Sequence, residues 1–272
     1  MITVREHWDF TNLLLTRDRF EQLIAESTDP SVRAIYETQV VRCMGLAGEF
    51  EAAHNRLDDM EIDDLSVEAQ AYHAIERGRV FNSSGDPEAA FERFEAAIEL
   101  ADQAGNTHLC ADAHHMAAIA APLAREPEIY SRALAYVSAS EDAQVVRWLG
   151  PLTNNHGWTE FERGDYASAL DAFQTGLAFR EAVGDTNGAG ISRWTVARTL
   201  RALNREEEAE PILLQLVQDR PTDGYVYEEL AIIADARHDP QARDYATKAL
   251  GLLTEADLPD GRYAVLTQIA GS

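Results

Sequence analysis

Apolar positions recur along this chain at three- and four-residue spacing almost from end to end. No alternating run of β-branched residues interrupts them, so the elements predicted are helices and not strands. A longer periodicity lies over that one. Gly78, Phe81, Gly85, Ala90, Phe94 and Ala97 stand at offsets 0, 3, 7, 12, 16 and 19. Gly157, Gly164, Ala169, Phe173 and Gly176 repeat most of that spacing. Ala197, Leu200, Ala209, Leu213 and Leu216 repeat it again, with Pro221 closing the unit. Small residues at offsets 0 and 12 let two antiparallel helices approach closely, and large apolar residues at 3 and 16 fill the space beside them.

Turn signals fall at Gly48-Glu49, Gly85-Asp86-Pro87, Gly164-Asp165, Asn204-Arg205 and His238-Asp239-Pro240. A Gly or Asn ending one helix and an Asp-Pro opening the next is stop-and-start punctuation. Gly105-Asn106 and Gly184-Asp185 end the second helix of their units in the same way. The intra-unit turns are separated by 37, 79 (about twice 40), 40 and 34 residues. This predicts six helix pairs at about 29–62, 66–104, 106–139, 141–184, 186–219 and 222–255, within one superhelical domain spanning 1–272. The third pair is degenerate, because its turn near Arg125-Glu126-Pro127 has no Gly. Residues 8–27 and 259–270 are expected to cap the exposed apolar ends that such an array has.

The segment RGRVFNSSGDPEAAFERFEAAIEL (77–100) resembles the tetratricopeptide-repeat (TPR) superfamily in its small–aromatic–Gly–Ala–aromatic–Ala framework, and the units beginning near 141 and 186 carry most of that framework. Periods near 40 are similar to the longer-helix variety of the repeat. The resemblance implies an all-α, right-handed α-solenoid. The segments NNHGWTEFERGDY, RWTVARTLR and DGYVYEEL also resemble those of bacterial TPR proteins with no established activity. One position departs from the pattern: Glu160 stands where a large apolar residue is usual, beside Phe161. Either the helix is slightly rotated there or Glu160 faces a polar pocket, and rotation is the expectation.

In TPR arrays the first helices of the pairs line a concave groove, and the resemblance implies that this groove binds extended peptides or partner helices. Applied to this chain, the groove positions are Thr38 and Arg42 in the first pair and Tyr72, Arg79 and Asn82 in the second. They are Asn154, Trp158 and Phe161 in the fourth pair and Trp194, Arg198 and Arg201 in the fifth. Arg, Trp and Tyr are the residue types that most often anchor interfaces. Arg42, Arg79 and Arg198 hold the same geometric place in three units, which suits an acidic or carboxylate-terminated peptide held by forked guanidinium donors. Two alternatives stay open at this point. Each arginine could instead pair with an acid of the next helix, and Trp158 and Trp194 could be packing between repeats.

Composition narrows the partner. The formal net charge of −24 disfavours phosphate backbones and anionic lipid, so nucleic acid and membrane are not expected partners. Only Cys43 and Cys110 occur, with no CxxC, so neither a disulfide framework nor a cysteine metal site is indicated. The start, MITVREHWDF, has no basic segment followed by an apolar run, and the expectation is a cytoplasmic protein.

Three further constellations have bland readings beside the sharp ones. His108, Asp112 and His115 fall at i, i+4 and i+7 on one helix face, a spacing able to offer metal ligands, but no HExxH or Glu-x-x-His motif accompanies them. Surface or groove histidines explain them as well. Gly184-Asp185-Thr186-Asn187-Gly188-Ala189-Gly190 superficially suggests a phosphate cradle, yet no strand precedes it and no GKS/T lysine follows. The acidic run Glu206-Glu207-Glu208 belongs in the first turn of a helix, where negative charge suits the helix dipole. No GxSxG and no Cys/His pair in a catalytic context occurs, so the expectation is a protein- or peptide-binding scaffold with no cofactor and no catalytic residue. The alternatives are a regulator sensing a small peptide or metabolite, a metal- or ligand-dependent enzyme built in the groove, and a self-associating homo-oligomer.

Overall fold

The computed structural model describes residues 4–259 and 261–271. Its helices are α1 (Leu13–Glu26), α2 (Pro30–Leu46), α3 (Phe50–Asp58), α4 (Val67–Ser84), α5 (Pro87–Gln103), α6 (Thr107–Ala120), α7 (Glu126–Ser138), α8 (Ala143–Val146), α9 (Leu149–Arg163), α10 (Tyr166–Ala182), α11 (Thr186–Ala202), α12 (Glu206–Asp219), α13 (Gly224–Ala236), α14 (Gln241–Leu252) and α15 (Arg262–Gly271). Single 3-10 turns occur at Arg5–His7 and Glu255–Asp257. Among the described residues there is no strand, and no helix is long and apolar enough to cross a membrane.

Five of the hairpins close in one repeated way. Gly48, Gly85, Gly164, Asn204 and His238 all take the left-handed conformation, with φ of 78°, 93°, 82°, 56° and 54°. The next residue then returns its N–H to a carbonyl five positions back: Glu49 to Met44, Asp86 to Phe81, Asp165 to Glu160, Arg205 to Leu200 and Asp239 to Ala234. These are Schellman closures, in which a residue that tolerates positive φ lets the chain satisfy carbonyls the helix leaves open. Asp86 and Asp165 then cap the following helices by accepting from the amides of Ala89 and Ser168. Two of the five closures lack glycine, so Asn204 and His238 hold a conformation that costs them more.

Glycine is needed for a different reason inside α4 and α9. A Cβ at Gly78 would lie 2.5 Å from the Phe94 ring, and one at Gly157 would lie 2.4 Å from the Phe173 ring. Both phenylalanines are fully buried on the second helix of the hairpin. The same offset of 16 residues therefore makes the same close approach twice. It also corrects the expectation at Glu160. Gly157 keeps its place over Phe173, so α9 is not rotated; Glu160 is instead buried and ion-paired to Arg163 at 2.6 Å.

The helices divide into two compact units between Leu152 and Thr153. In the first, α2 packs beside α4 and α4 beside α6, so first helices of successive pairs form a continuous face. Its core holds Phe20, Ile35, Leu57, Ile75, Phe94, Ile129 and Leu152. In the second, α11 packs beside α13, over a core of Phe173, Leu213, Leu216, Tyr227, Leu230 and Leu266. Burial of these apolar side chains is the main favourable term in each unit. Cys43 and Cys110 are buried free thiols.

Candidate inner-face binding site

In the first unit, the residue after the small position of each first helix forms a row of charges. Arg42 on α2 lies 3.7 Å from the Glu76 carboxylate on α4. Glu76 is also bonded by Arg79, one turn further along α4. Arg79 reaches across to α6 and holds both oxygens of Asp112, at 2.7 and 2.6 Å. Glu76 is 1% exposed and Asp112 9%. Burial pushes the Glu76 carboxyl up, and Arg79 and Arg42 do not fully offset it. Burial pushes Asp112 up as well, but there Arg79 and Arg42 outweigh it and hold the carboxyl below its ordinary value. Arg79 itself is held above its ordinary value, since Asp112 and Glu76 outweigh its burial. The two arginines and two acids balance, which is what makes such burial tolerable.

The other predicted positions of this unit divide between face and interior. Thr38 is fully buried and donates to the Ile35 carbonyl at 2.7 Å, so it lies within the helix packing. Tyr72 is also buried, packed in the core of the unit, while Asn82 is half-buried near the end of α4. His108, Asp112 and His115 do share one face of α6, as their spacing requires. Their ligand atoms do not converge on a common point, the Asp112 oxygens are held by Arg79, and the rings of His108 and His115 lie 6.3 and 4.9 Å from that of Trp148.

The second unit builds its face from aromatic rings. Trp158 on α9 lies 5.9 Å from Trp194 on α11, which lies 5.6 Å from Tyr225 on α13. Trp158 also meets Phe161 and the core residue Phe173 edge-on, at 5.4 and 5.3 Å. The indole N–H of Trp194 donates to the Tyr225 carbonyl at 3.2 Å, fixing that ring. Arg198 lies 5.6 Å from the rings of both Phe161 and Trp194, and its Nη1 bonds the Glu229 carboxylate at 2.7 Å. Arg201 bonds the same carboxylate, which is fully buried. Arg262 on α15 grips Glu228 and lies 5.9 Å from the Tyr225 ring. Asn154 is half-buried on α9.

Beside these rings opens a cleft of about 740 Å³, lined by Trp158, Trp194, Tyr225, the half-exposed apolar residues Ile191 and Leu252, and Arg262 at its rim. A second cleft of about 870 Å³ contains the Gly184–Gly190 turn. There the Asp185 carboxylate caps α11 by accepting from the Gly188 amide at 2.9 Å, and Arg180 bonds the Gly188 carbonyl and the Ser192 hydroxyl. The N-terminus that would have held a phosphate already carries a carboxylate.

No protein-family model matches the sequence, and no curated protein matches it. Solved structures do match. A signal-transduction ATPase with numerous domains and a tetratricopeptide-repeat sensor, from Pyrococcus horikoshii, aligns over 94% of this chain and 41% of its own, with a TM-score of 0.70 and 13% identity. BtubC from P. vanneervenii aligns over 81% of this chain and 92% of its own, with a TM-score of 0.60 and 13% identity. A tetratricopeptide repeat protein from Parabacteroides merdae aligns over 99% of this chain and 97% of its own, at 0.52 and 11%. The fold is the helical-repeat fold that these tetratricopeptide-repeat structures have. At these identities the likeness is one of fold alone.

Within that TPR fold, Glu76, Asp112, Glu228 and Glu229 were not among the groove residues expected from sequence. Two of them were within reach. Asp112 follows Ala111 as Arg79 follows Gly78, and Glu229 stands 31 residues after Arg198, near one repeat length. Asp112 therefore occupies the place in the next first helix that Arg79 occupies in its own, while Glu229 lies one turn before the place equivalent to Arg198.

Proposed function

We propose that this protein is a TPR-type scaffold that binds a peptide or protein segment along the inner faces of its first helices. The principal anchor site is the aromatic cleft of the second unit. The observation that carries this reading is the ladder of Trp158, Trp194 and Tyr225 opening beside Ile191 and Leu252. Large apolar residues at a concave surface, held in fixed orientation, offer contact area with little ordering cost at binding. The arginines expected to hold an acidic peptide serve a different part. Arg198 and Arg201 bond the buried Glu229 carboxylate and Arg262 grips Glu228, so recognition is left mainly to apolar side chains of the partner.

The reading is tested with a random-peptide library panned on the protein and on an Ile191→Asp/Leu252→Asp variant. Both residues are half-exposed, so the variant keeps its fold while its cleft becomes charged. Aromatic- or leucine-bearing peptides enriched on the protein and lost on the variant support it. Equal enrichment on both excludes the cleft as the site.

A further inference from the structure

We infer that the segment Val4–Phe10 is an intramolecular ligand of the first unit: it occupies the Arg42 end of the inner face and exchanges there with partner segments that carry an aromatic residue beside an acid. The exchange with a partner rests on the scaffold reading above; the occupation by the chain's own segment does not.

Arg42 and Arg198 hold the same place in their repeats, and each guanidinium lies near two aromatic rings. For Arg198 the rings are Phe161 and Trp194, both built into the repeat helices. For Arg42 they are Trp8 and Phe10, at 5.2 and 5.8 Å, and both come from the segment ahead of α1. Helices α2 and α4 place no aromatic ring over Arg42, so the segment supplies to the first unit what the second unit has in its own helices. Trp8 also donates its indole N–H to the Gln39 side chain at 3.0 Å, one turn back along α2 from Arg42. The stacked Trp8 and Phe10 rings, 4.8 Å apart, thus sit on the inner face as a bound peptide's anchors do, with Asp9 between them.

The segment lies on the core of the unit as a ligand lies on its site, with none of residues 4–10 fully buried. Its only regular structure is one 3-10 turn, Arg5–His7, with no buried residue. Its attachments are the Trp8–Gln39 bond, a reciprocal pair between Asp9 and Thr16 at 3.0 Å each way, ring contacts of Trp8 and His7 with Phe20 at 5.8 and 6.0 Å and of His7 with Tyr36 at 6.3 Å, and the packing of partly buried Val4 and Trp8 on the core of the unit. Phe10 is 61% exposed. A segment with no fully buried residue and no α-helix of its own opens locally at a free energy below that of global unfolding. While it is seated, a competing segment meets a surface whose accessible fraction is reduced by the seated population.

The test uses the full chain and a fluorescein-labelled peptide of residues 4–12, VREHWDFTN. A Trp8→Ala/Phe10→Ala variant vacates the face. The inference expects the peptide to bind this variant at one to one, at least tenfold more tightly than it binds the wild-type protein, and expects a peptide with alanine at the position of Trp8 to bind neither. Equal binding to both proteins, or none to a variant that retains its helical signal, overturns it. Should the double variant fail to fold, native-state amide exchange on the wild-type chain decides the matter. Amides of residues 7–12 exchanging at least a hundredfold faster than those of the α2 interior support a displaceable segment; equal protection makes it a structural part of the unit and overturns the inference. Because the probe is the chain's own sequence and the face is that of the first unit, the result stands apart from the fate of the second-unit cleft in the library experiment.

Discussion

Replacing Gly78 with alanine tests the repeat register at its tightest contact. The added Cβ would lie 2.5, 2.7 and 3.0 Å from three atoms of the Phe94 ring, whereas carbon atoms in good contact stay about 3.5–4.0 Å apart. Phe94 is fully buried, so its ring must move by roughly 1 Å against close-packed neighbours, at a cost of about 1–3 kcal/mol. Alanine returns about 1 kcal/mol through helix propensity, and the net expectation is a loss of about 1 kcal/mol. Gly45 supplies the control. It lies in α2 with its nearest such contact at an ordinary 3.8 Å, so Gly45→Ala should gain up to about 1 kcal/mol. Urea denaturation followed by circular dichroism gives the difference, and amide exchange in α4 and α5 localises it, since pairs in an array open separately. Phe94→Leu should cost less in the Gly78→Ala background than in the wild-type chain, because the smaller side chain relieves the clash. A Gly78→Ala protein as stable as Gly45→Ala would refute the packing of α4 on α5 described here.

Other expectations follow from the same geometry. Asn204→Gly and His238→Gly should each stabilise by about 0.5–1 kcal/mol, read as a rise in the urea midpoint, because both residues hold positive φ without glycine's freedom. Arg79→Leu should destabilise by about 3–5 kcal/mol, because it leaves Glu76 and Asp112 buried without their shared partner; Arg79→Lys should not restore the loss, since one ammonium cannot bridge both carboxylates in the same way. His114 is buried beside Arg132, and burial first and that charge second push its pKa down to about 4. The unfolded chain therefore takes up a proton at pH values where the folded protein does not. Stability from this group is full above about pH 6.5 and falls as the pH drops towards 4, by about 2 kcal/mol between pH 8 and 5. Denaturation at the two pH values, with His114→Leu as reference, should show the variant losing about 2 kcal/mol less than the wild type over that interval.

How far the fold and site were legible in the sequence can be judged from particular residues. The hairpins were legible because their closures rest on local chemistry. A left-handed residue followed by a capping acid leaves its mark within three positions, and Gly85-Asp86 and Gly164-Asp165 show it plainly. Asn204 and His238 were readable in the same places because the repeat length pointed to them. That Trp158, Trp194, Arg198 and Arg201 come close together was legible from equivalence between repeats. What those side chains touch was not, because contacts between repeats join residues about 30 to 40 positions apart. Arg79 finds Asp112 and Arg198 finds Glu229 only once neighbouring first helices lie side by side. Glu160 misled for a related reason: a buried acid reads as a break in register until its partner Arg163 is seen one turn on. Trp8 falls in the stretch 8–27 expected to form an end cap, yet helix α1 begins only at Leu13, and Trp8 and Phe10 ahead of it lie against α2 with no periodicity to announce them.

The central claim is that the aromatic cleft of the second unit is where a partner segment is anchored. The most direct test is to take the strongest peptide selected on the wild-type protein and titrate it against the Ile191→Asp/Leu252→Asp variant, with melting temperatures recorded for both. The account predicts a loss of affinity of at least thirtyfold with the melting temperature unchanged. Undiminished binding by the charged cleft would contradict it.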